Sequence, residues 1–231
     1  MTEEQSKNKP EALLRHLSAE DLELVNTSDD ELWKRSSVFS FDLQECQARV
    51  TRGEKWHQLI QAHLYLEHVL TMLMTDALAD PGAIGASRMA FAQKLNMIRA
   101  MGLLSVENVS TLIKINKLRN KIAHDLTFSI TDESERDLIN ATSDNFKASV
   151  MSDDKRTSGP IRFEEVLYIA ILHCEVQRHH LAYMRLINKK NMFQVYKGLE
   201  SLGVVKIQWN RFITWDSRPC LGDVAWGDDR R

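Results

Sequence analysis

Cysteine is scarce in this chain: three among 231 residues, at Cys46, Cys174 and Cys220. They are far apart, odd in number and in no Cys-x-x-Cys pair, so they build no disulfide scaffold and fit a reduced, cytoplasmic setting. Long apolar runs are also missing. No stretch reaches the roughly 18 uninterrupted apolar residues of a membrane span, and the polar start, Met1 to Pro10, offers no apolar segment suited to a secretion signal. An excess of positive charge is absent: 30 Lys and Arg stand against 32 Asp and Glu, a net charge of −2. That excludes a chain-wide basic footprint for nucleic acid and makes any such contact local. There is no Gly-rich phosphate loop, no Gly-x-Ser-x-Gly elbow, no zinc-finger spacing, no familiar DNA-reading motif, no internal repeat and no sustained heptad pattern. These exclusions leave a soluble globular protein whose 43% hydrophobic residues suffice for a sizeable core.

What remains is helical periodicity. Residues 1–10 read as a loose polar tail, and Glu11 to Val25 as a modest amphipathic helix with Ser18 as a break. Asp29 or Asp30 caps a short helix through Trp33, and Ser36 to Phe41 is a linker with aromatic anchors. From about Gln44, and firmly from Glu54 to Ala79, a long helix is expected. Its apolar positions Leu59, Ile60, Leu66, Leu70 and Leu73, with Trp56, His63 and Ala77, recur at three- and four-residue steps. Asp80-Pro81-Gly82 stops it, Ser87 caps a helix to about Met101, Gly102 ends that one, and Ser105 opens the next. Leu126 to Thr131 leaves the helix in extended form, and Thr131 caps a short acidic helix to about Asn140. Thr142 to Pro160 is a loop, Ile161 to Ile187 a second long helix, and Asn188 to Ser201 its extension or another helix. Val204 to Trp209 alternates and pairs on paper with Arg211 to Trp215 as a short strand or hairpin. The fold expected is all-α: a bundle of four to five helices over residues 44–190, an N-terminal helical extension over 1–43, and a C-terminal appendage over 191–231 carrying the candidate β-hairpin.

The most informative stretch is Lys114 to Asp125. Around Ile115, the residues Leu112, Leu118, Ile122 and Leu126 form a core-facing stripe. Asn120, His124 and Lys117 fall on the opposite side, with Asn120 and His124 one turn apart, and Arg119 sits at the edge of the stripe. No acidic residue interrupts the run between Glu107 and Asp125, while Lys114, Lys117, Arg119 and Lys121 accumulate, a local basic face suited to phosphate. The polar side points away from the core, so a pocket built on it needs a second wall, for which a symmetric copy is one candidate.

Other candidate sites are weaker. His57, His63 and His68 follow steps of six and five that spread them around their helix, as surface or partly buried residues. His173, Cys174, His179 and His180 include no ligand pair at the spacing of a helical zinc site. No metal and no cofactor is therefore expected. Glu67 and Glu175 lie in apolar helices, where exposure or a contact to Arg119 across the bundle would accommodate a carboxylate. Met72, Met74, Met89, Met97 and Met101 read as core filling.

The run Arg119-Asn120-Lys121-Ile122-Ala123-His124 resembles the Arg-polar-x-x-x-His motif of the HEPN superfamily, helical bundles that include many metal-independent ribonucleases. A longer similarity, from Lys94 to Glu133, is to the mannitol operon repressor group. Lys94-Leu95, Ile98, Gly102-Leu103-Leu104, Leu118-Arg119, His124-Asp125, Phe128 and Thr131-Asp132 carry it. The first resemblance implies an endoribonuclease, a toxin or defence effector held in check by an antitoxin or other regulatory protein. In it His124 activates the ribose 2′-OH, Arg119 meets the charge building on the phosphate, and Asn120 orients the imidazole or the phosphate. RNA would lie along Lys114, Lys117 and Lys121, two motif helices would meet in a homodimer, and the products would carry 2′,3′-cyclic phosphate and 5′-OH ends. The second resemblance implies a non-catalytic transcriptional regulator or protein-interaction module. Neither bears on residues 1–50 or those beyond 190.

Overall fold

The computed structural model describes residues 18–78, 80–125, 127–142, 144, 148 and 159–201. All regular structure among them is helical, without a strand. Helices α1 (Ala19–Asn26) and α2 (Asp29–Ser36) each open on a serine: Ser18 Oγ accepts from the Asp21 amide at 3.1 Å and Ser28 Oγ from the Glu31 amide at 3.2 Å. Ser28 takes the capping role expected of Asp29 or Asp30, which instead place their carboxylates in the first turn, where the helix dipole favours them. The single helix expected from about residue 44 is two, α3 (Leu43–Thr51) and α4 (Lys55–Ala77). Gly53 parts them with φ +84°, a conformation that side chains with a Cβ avoid.

Ser87 does not cap a helix. It lies in a 3₁₀ turn, Ala86–Arg88, and α5 (Phe91–Ala100) starts after Ala90, whose amide donates to Gln93 Oε1 at 3.0 Å. Gly102 at φ +66° ends that segment, and Ser105 caps α6 (Val106–His124) as expected, accepting from the Asn108 amide at 3.2 Å. Thr131 caps α7 (Asp132–Ala141). The last helix, α8 (Phe163–Ser201), is continuous over 39 residues and joins the two segments that the sequence left separable. The candidate hairpin at 204–215, the tail after it, the first 17 residues, Leu126 and most of the 142–160 loop lie outside the described residues.

The chain forms two compact units, one of Val38–Leu181, the other of the segments before Val38 and from Ala182 onward. In the larger unit α4 is central. Leu59, Ala62, Leu66, Val69, Leu70, Leu73 and Met74 are wholly buried against Leu95 and Ile98 of α5, Leu112 and Ile115 of α6, and Phe163, Val166, Leu167 and Ile171 of α8. Each of these side chains larger than Ala62 contributes about 1.5–3 kcal/mol through burial. Met74 is in this core and Met89, Met97 and Met101 pack on it, which is the filling role expected of them. In the smaller unit Lys189 reaches Asp21 at 2.9 Å, Lys190 reaches Asp29 at 2.7 Å, and Trp33 meets Tyr183 edge-on. No helix among the described residues is long and apolar enough to cross a membrane.

A buried polar network fastens the linker 38–41 within the larger unit. Glu175 is fully buried and does not contact Arg119; its partner is Arg178, with Arg178 Nη2 to Glu175 Oε1 at 2.8 Å and Nε to Oε2 at 3.2 Å. Arg178 also donates to Asp76 Oδ2 at 3.3 Å and to the Val38 carbonyl at 2.6 Å. His179 donates to the same carbonyl at 2.9 Å, and the Ser40 amide donates to Glu175 Oε1 at 2.6 Å. Phe39 stands edge-on to His179, and Phe41 to Tyr65. Burial alone would push the Glu175 carboxyl up, but the hydrogen bonds from His179, Arg178 and the Ser40 amide outweigh it and hold the group at about 2. Because this carboxyl is depressed in the fold, its stabilisation is intact above about pH 4.5, the ordinary glutamate range, and is lost as pH falls from there toward 2. Replacing Arg178 by Ala leaves two buried carboxylates without their cation and is expected to cost about 3–5 kcal/mol in urea unfolding at neutral pH. Glu175→Gln is expected to remove the part of the loss of stability between pH 4.5 and 2 that Glu175 contributes, read as a shallower fall of stability with pH in urea unfolding.

Candidate functional site

The apolar side of α6 is where the periodicity placed it. Leu112, Ile115 and Leu118 are buried and Ile122 is half-buried. Lys117 and His124 are exposed on the far side, and Arg119 and Asn120 are half-buried between the two. Arg119 Nη1 donates to Asn120 Oδ1 at 3.2 Å, and that is its one side-chain hydrogen bond among the described residues. No carboxylate among the described residues pairs with it. Guanidinium groups carry five N–H donors, so most of the fork is available to an anion.

His124 is the last residue of α6, exposed and without a side-chain partner among the described residues. The nearest acid in sequence, Asp125, is turned away into the next turn: its Oδ1 accepts from Thr127 Oγ1 at 2.6 Å and from the Thr127 amide at 2.9 Å. Those bonds hold its carboxyl below the usual range, so it stays ionised and occupied. Arg119 and His124 are five residues apart, a rotation of about 140° and a rise of about 7.5 Å on an ideal helix. They project in widely different directions and do not converge on one point.

The three lysines are disposed differently. Lys114 Nζ donates to the Asp137 carbonyl of α7 at 3.1 Å, Lys121 lies over the Phe128 ring at 5.5 Å, and Lys117 projects freely among the described residues. A shallow recess of about 550 Å³ in the larger unit is lined by Gly82 to Gly85, Arg88, Met89 and, from α5, Gln93, and by none of the α6 residues. On the polar side of α6, Lys117, Lys121 and His124 are exposed and Arg119 and Asn120 half-buried. No group of three or more His, Cys, Asp or Glu side chains among the described residues is arranged to hold a metal ion.

Behind this surface the structure corrects the expectation that His63 is a surface or partly buried residue. His63 of α4 is buried, at 4% exposure, and stacked on Phe91 with centroids 4.3 Å apart and planes 29° from parallel. Its Nε2 donates to Asn116 Oδ1 at 3.1 Å. One turn along α4, Glu67 accepts from Lys94 Nζ at 3.1 Å, and that lysine is only 2% exposed. His63 therefore stands at the junction of α4, α5 and α6, within electrostatic range of Arg119, Glu67 and Lys94. Its place among the apolar positions of α4 was the available signal, since a residue at such a position is carried into the core whatever its polarity.

Burial lowers the His63 pKa, the bond to Asn116 and the Glu67 charge oppose that, and the Arg119 and Lys94 charges add to it. The imidazole stays neutral at neutral pH. An NMR titration is expected to place its midpoint below the ordinary value of about 6.5. The unfolded chain takes up this proton first, so the contribution to stability is intact above about pH 6.5 and declines as pH falls below it. Comparison of the chain with protein-family models, with curated proteins and with solved structures finds no match in any of the three.

Proposed function

We propose that the protein is a metal-independent endoribonuclease of the HEPN type, cleaving RNA at the polar surface of α6. The observation that carries this reading is the state of Arg119: a half-buried guanidinium with no acidic partner among the described residues, on a helix that carries no acid from Asn108 to its end at an exposed histidine. A guanidinium so placed, with its donors unfilled, suits a phosphate. The sequence motif Arg119-Asn120-x-x-x-His124, resembling that of the HEPN nucleases, supplies the assignment of roles.

His124 Nε2 or Nδ1 accepts the ribose 2′-OH proton as that oxygen attacks the adjacent phosphorus. Arg119 donates to the non-bridging oxygens as charge accumulates on them. Asn120, already bonded to Arg119, holds the guanidinium plane and leaves its own amide N–H groups for the substrate. The bond to the 5′-oxygen breaks as water protonates the leaving oxygen, and the protonated His124 returns its proton to solvent, giving 2′,3′-cyclic phosphate and 5′-OH ends. Lys117, projecting without a partner among the described residues, is best placed to meet a neighbouring phosphate, with Lys114 and Lys121 flanking it. Because Arg119 and His124 diverge around one helix, the cleft is completed by a second copy that brings another α6 opposite the first. An antitoxin or other regulatory protein that covers this surface would hold the activity in check.

Purified protein incubated with mixed RNA in EDTA is expected to release fragments with cyclic phosphate ends. Arg119→Ala and His124→Ala are each expected to reduce the rate by about 10²-fold or more while leaving the fold intact. Cleavage that chelation abolishes would overturn the mechanism. A folded protein that cleaves nothing would instead assign the chain to the second reading, a regulatory module like the mannitol operon repressor group.

A further inference from the structure

Leu112, Ile115 and Leu118 bury the inner side of α6 and set which face turns inward, through contacts that are non-directional. Hydrogen bonds are directional. His63 supplies one at this point, from Nε2 to Asn116 Oδ1 at 3.1 Å, and the stack on Phe91 prevents the ring from following if α6 turns. Asn116 precedes Arg119 by three residues and Asn120 by four, the spacings that place side chains next to one another on a helix. Arg119 is in turn bonded to Asn120. From the rigid ring on α4 to the open guanidinium there is a continuous path of one hydrogen bond, one helical turn and a second hydrogen bond.

We infer that His63 is a positioning residue for the α6 surface: by holding Asn116 it fixes the orientation in which Arg119 and Asn120 are presented to a phosphate. This rests on the reading of that surface as the RNA-facing site and extends it to a buried residue that touches no substrate. The charged groups facing His63 are Glu67 from its own helix, Lys94 from α5 and Arg119 from α6. An anion on Arg119 offsets the repulsion that this guanidinium exerts on a protonated imidazole. Occupancy of the surface and protonation of His63 are therefore linked, each favouring the other. A residue that only filled space would show no such linkage.

The test is NMR on the full chain, following the Arg119 Nε–H and Asn120 side-chain amide resonances in the parent, His63→Ala, His63→Gln and Asn116→Ala. Both resonances are expected to move in His63→Ala and Asn116→Ala. They should return toward the parent in His63→Gln, whose amide can again donate to Asn116. In the parent, adding an uncleavable 2′-O-methyl oligoribonucleotide is expected to raise the His63 midpoint, and His63→Ala is expected to cut RNA cleavage about tenfold or more. A folded His63→Ala with unmoved Arg119 and Asn120 resonances overturns the inference. Cleavage by that variant at the parent rate overturns it too, while leaving the nuclease reading intact. If the resonances move as expected but no RNA binds or is cut, the positioning role stands and the RNA reading fails. Should His63→Ala not fold, Asn116→Ala decides, and unmoved resonances there refute the proposal.

Discussion

Taking a guanidinium out of water is tolerable only when its N–H groups find acceptors, and that constraint shapes the larger unit. Arg178 meets it with four hydrogen bonds. It bonds to both oxygens of Glu175, to Asp76 at the end of α4 and to the Val38 carbonyl, and so ties α8, α4 and the linker together at one buried point. The Ser40 amide and His179 complete the set, leaving little freedom in residues 38–41. Such a pair is costly to desolvate and gives modest net stability, but breaking it is expensive, so it specifies one arrangement of the chain more than it strengthens it.

Arg119 presents the opposite case. It is half-buried, bonded to a neutral amide, and faces no acid among the described residues. Both arginines come from amphipathic helices of similar polarity, and what separates a structural arginine from an available one is the supply of acceptors around it. The 17 residues from Asn108 to His124 contain none of the carboxylates that would neutralise such a surface, although the chain as a whole is slightly acidic. The basic face is therefore local by arrangement and invisible in the net charge.

Local features of the fold were legible because their causes are local. The apolar stripe of α6, its Ser105 cap, the stop at Gly102 and the acidic helix after Thr131 all follow from residues within one or two turns. Even the local corrections are of this kind: Gly53 divides α3 from α4, and Ser28 outcompetes the aspartates that follow it. The buried polar residues were not legible. Glu175 meets Ser40 across 135 positions, His63 meets Asn116 across 53, and Lys94 meets Glu67 across 27. A carboxylate or lysine at an apolar helical position looks out of place until its partner is known, and no spacing rule names a partner so far away. His63 shows the limit most clearly, because its position on the stripe pointed inward while its chemistry suggested the surface.

The same geometry bears on what α6 can do alone. One helix cannot bring Arg119 and His124 to the same phosphodiester, since they diverge by about 140° around it. A lone copy could grip a phosphate with Arg119, but its imidazole would hang beyond the reacting atoms. Two α6 helices facing each other across a twofold axis remove the difficulty, because the guanidinium of one copy can stand beside the imidazole of the other. The proposed reaction is thus conditional on assembly. A buried anchor such as His63 gains importance in that setting, because in a cleft shared between two copies a rotational error in either helix misaligns both halves.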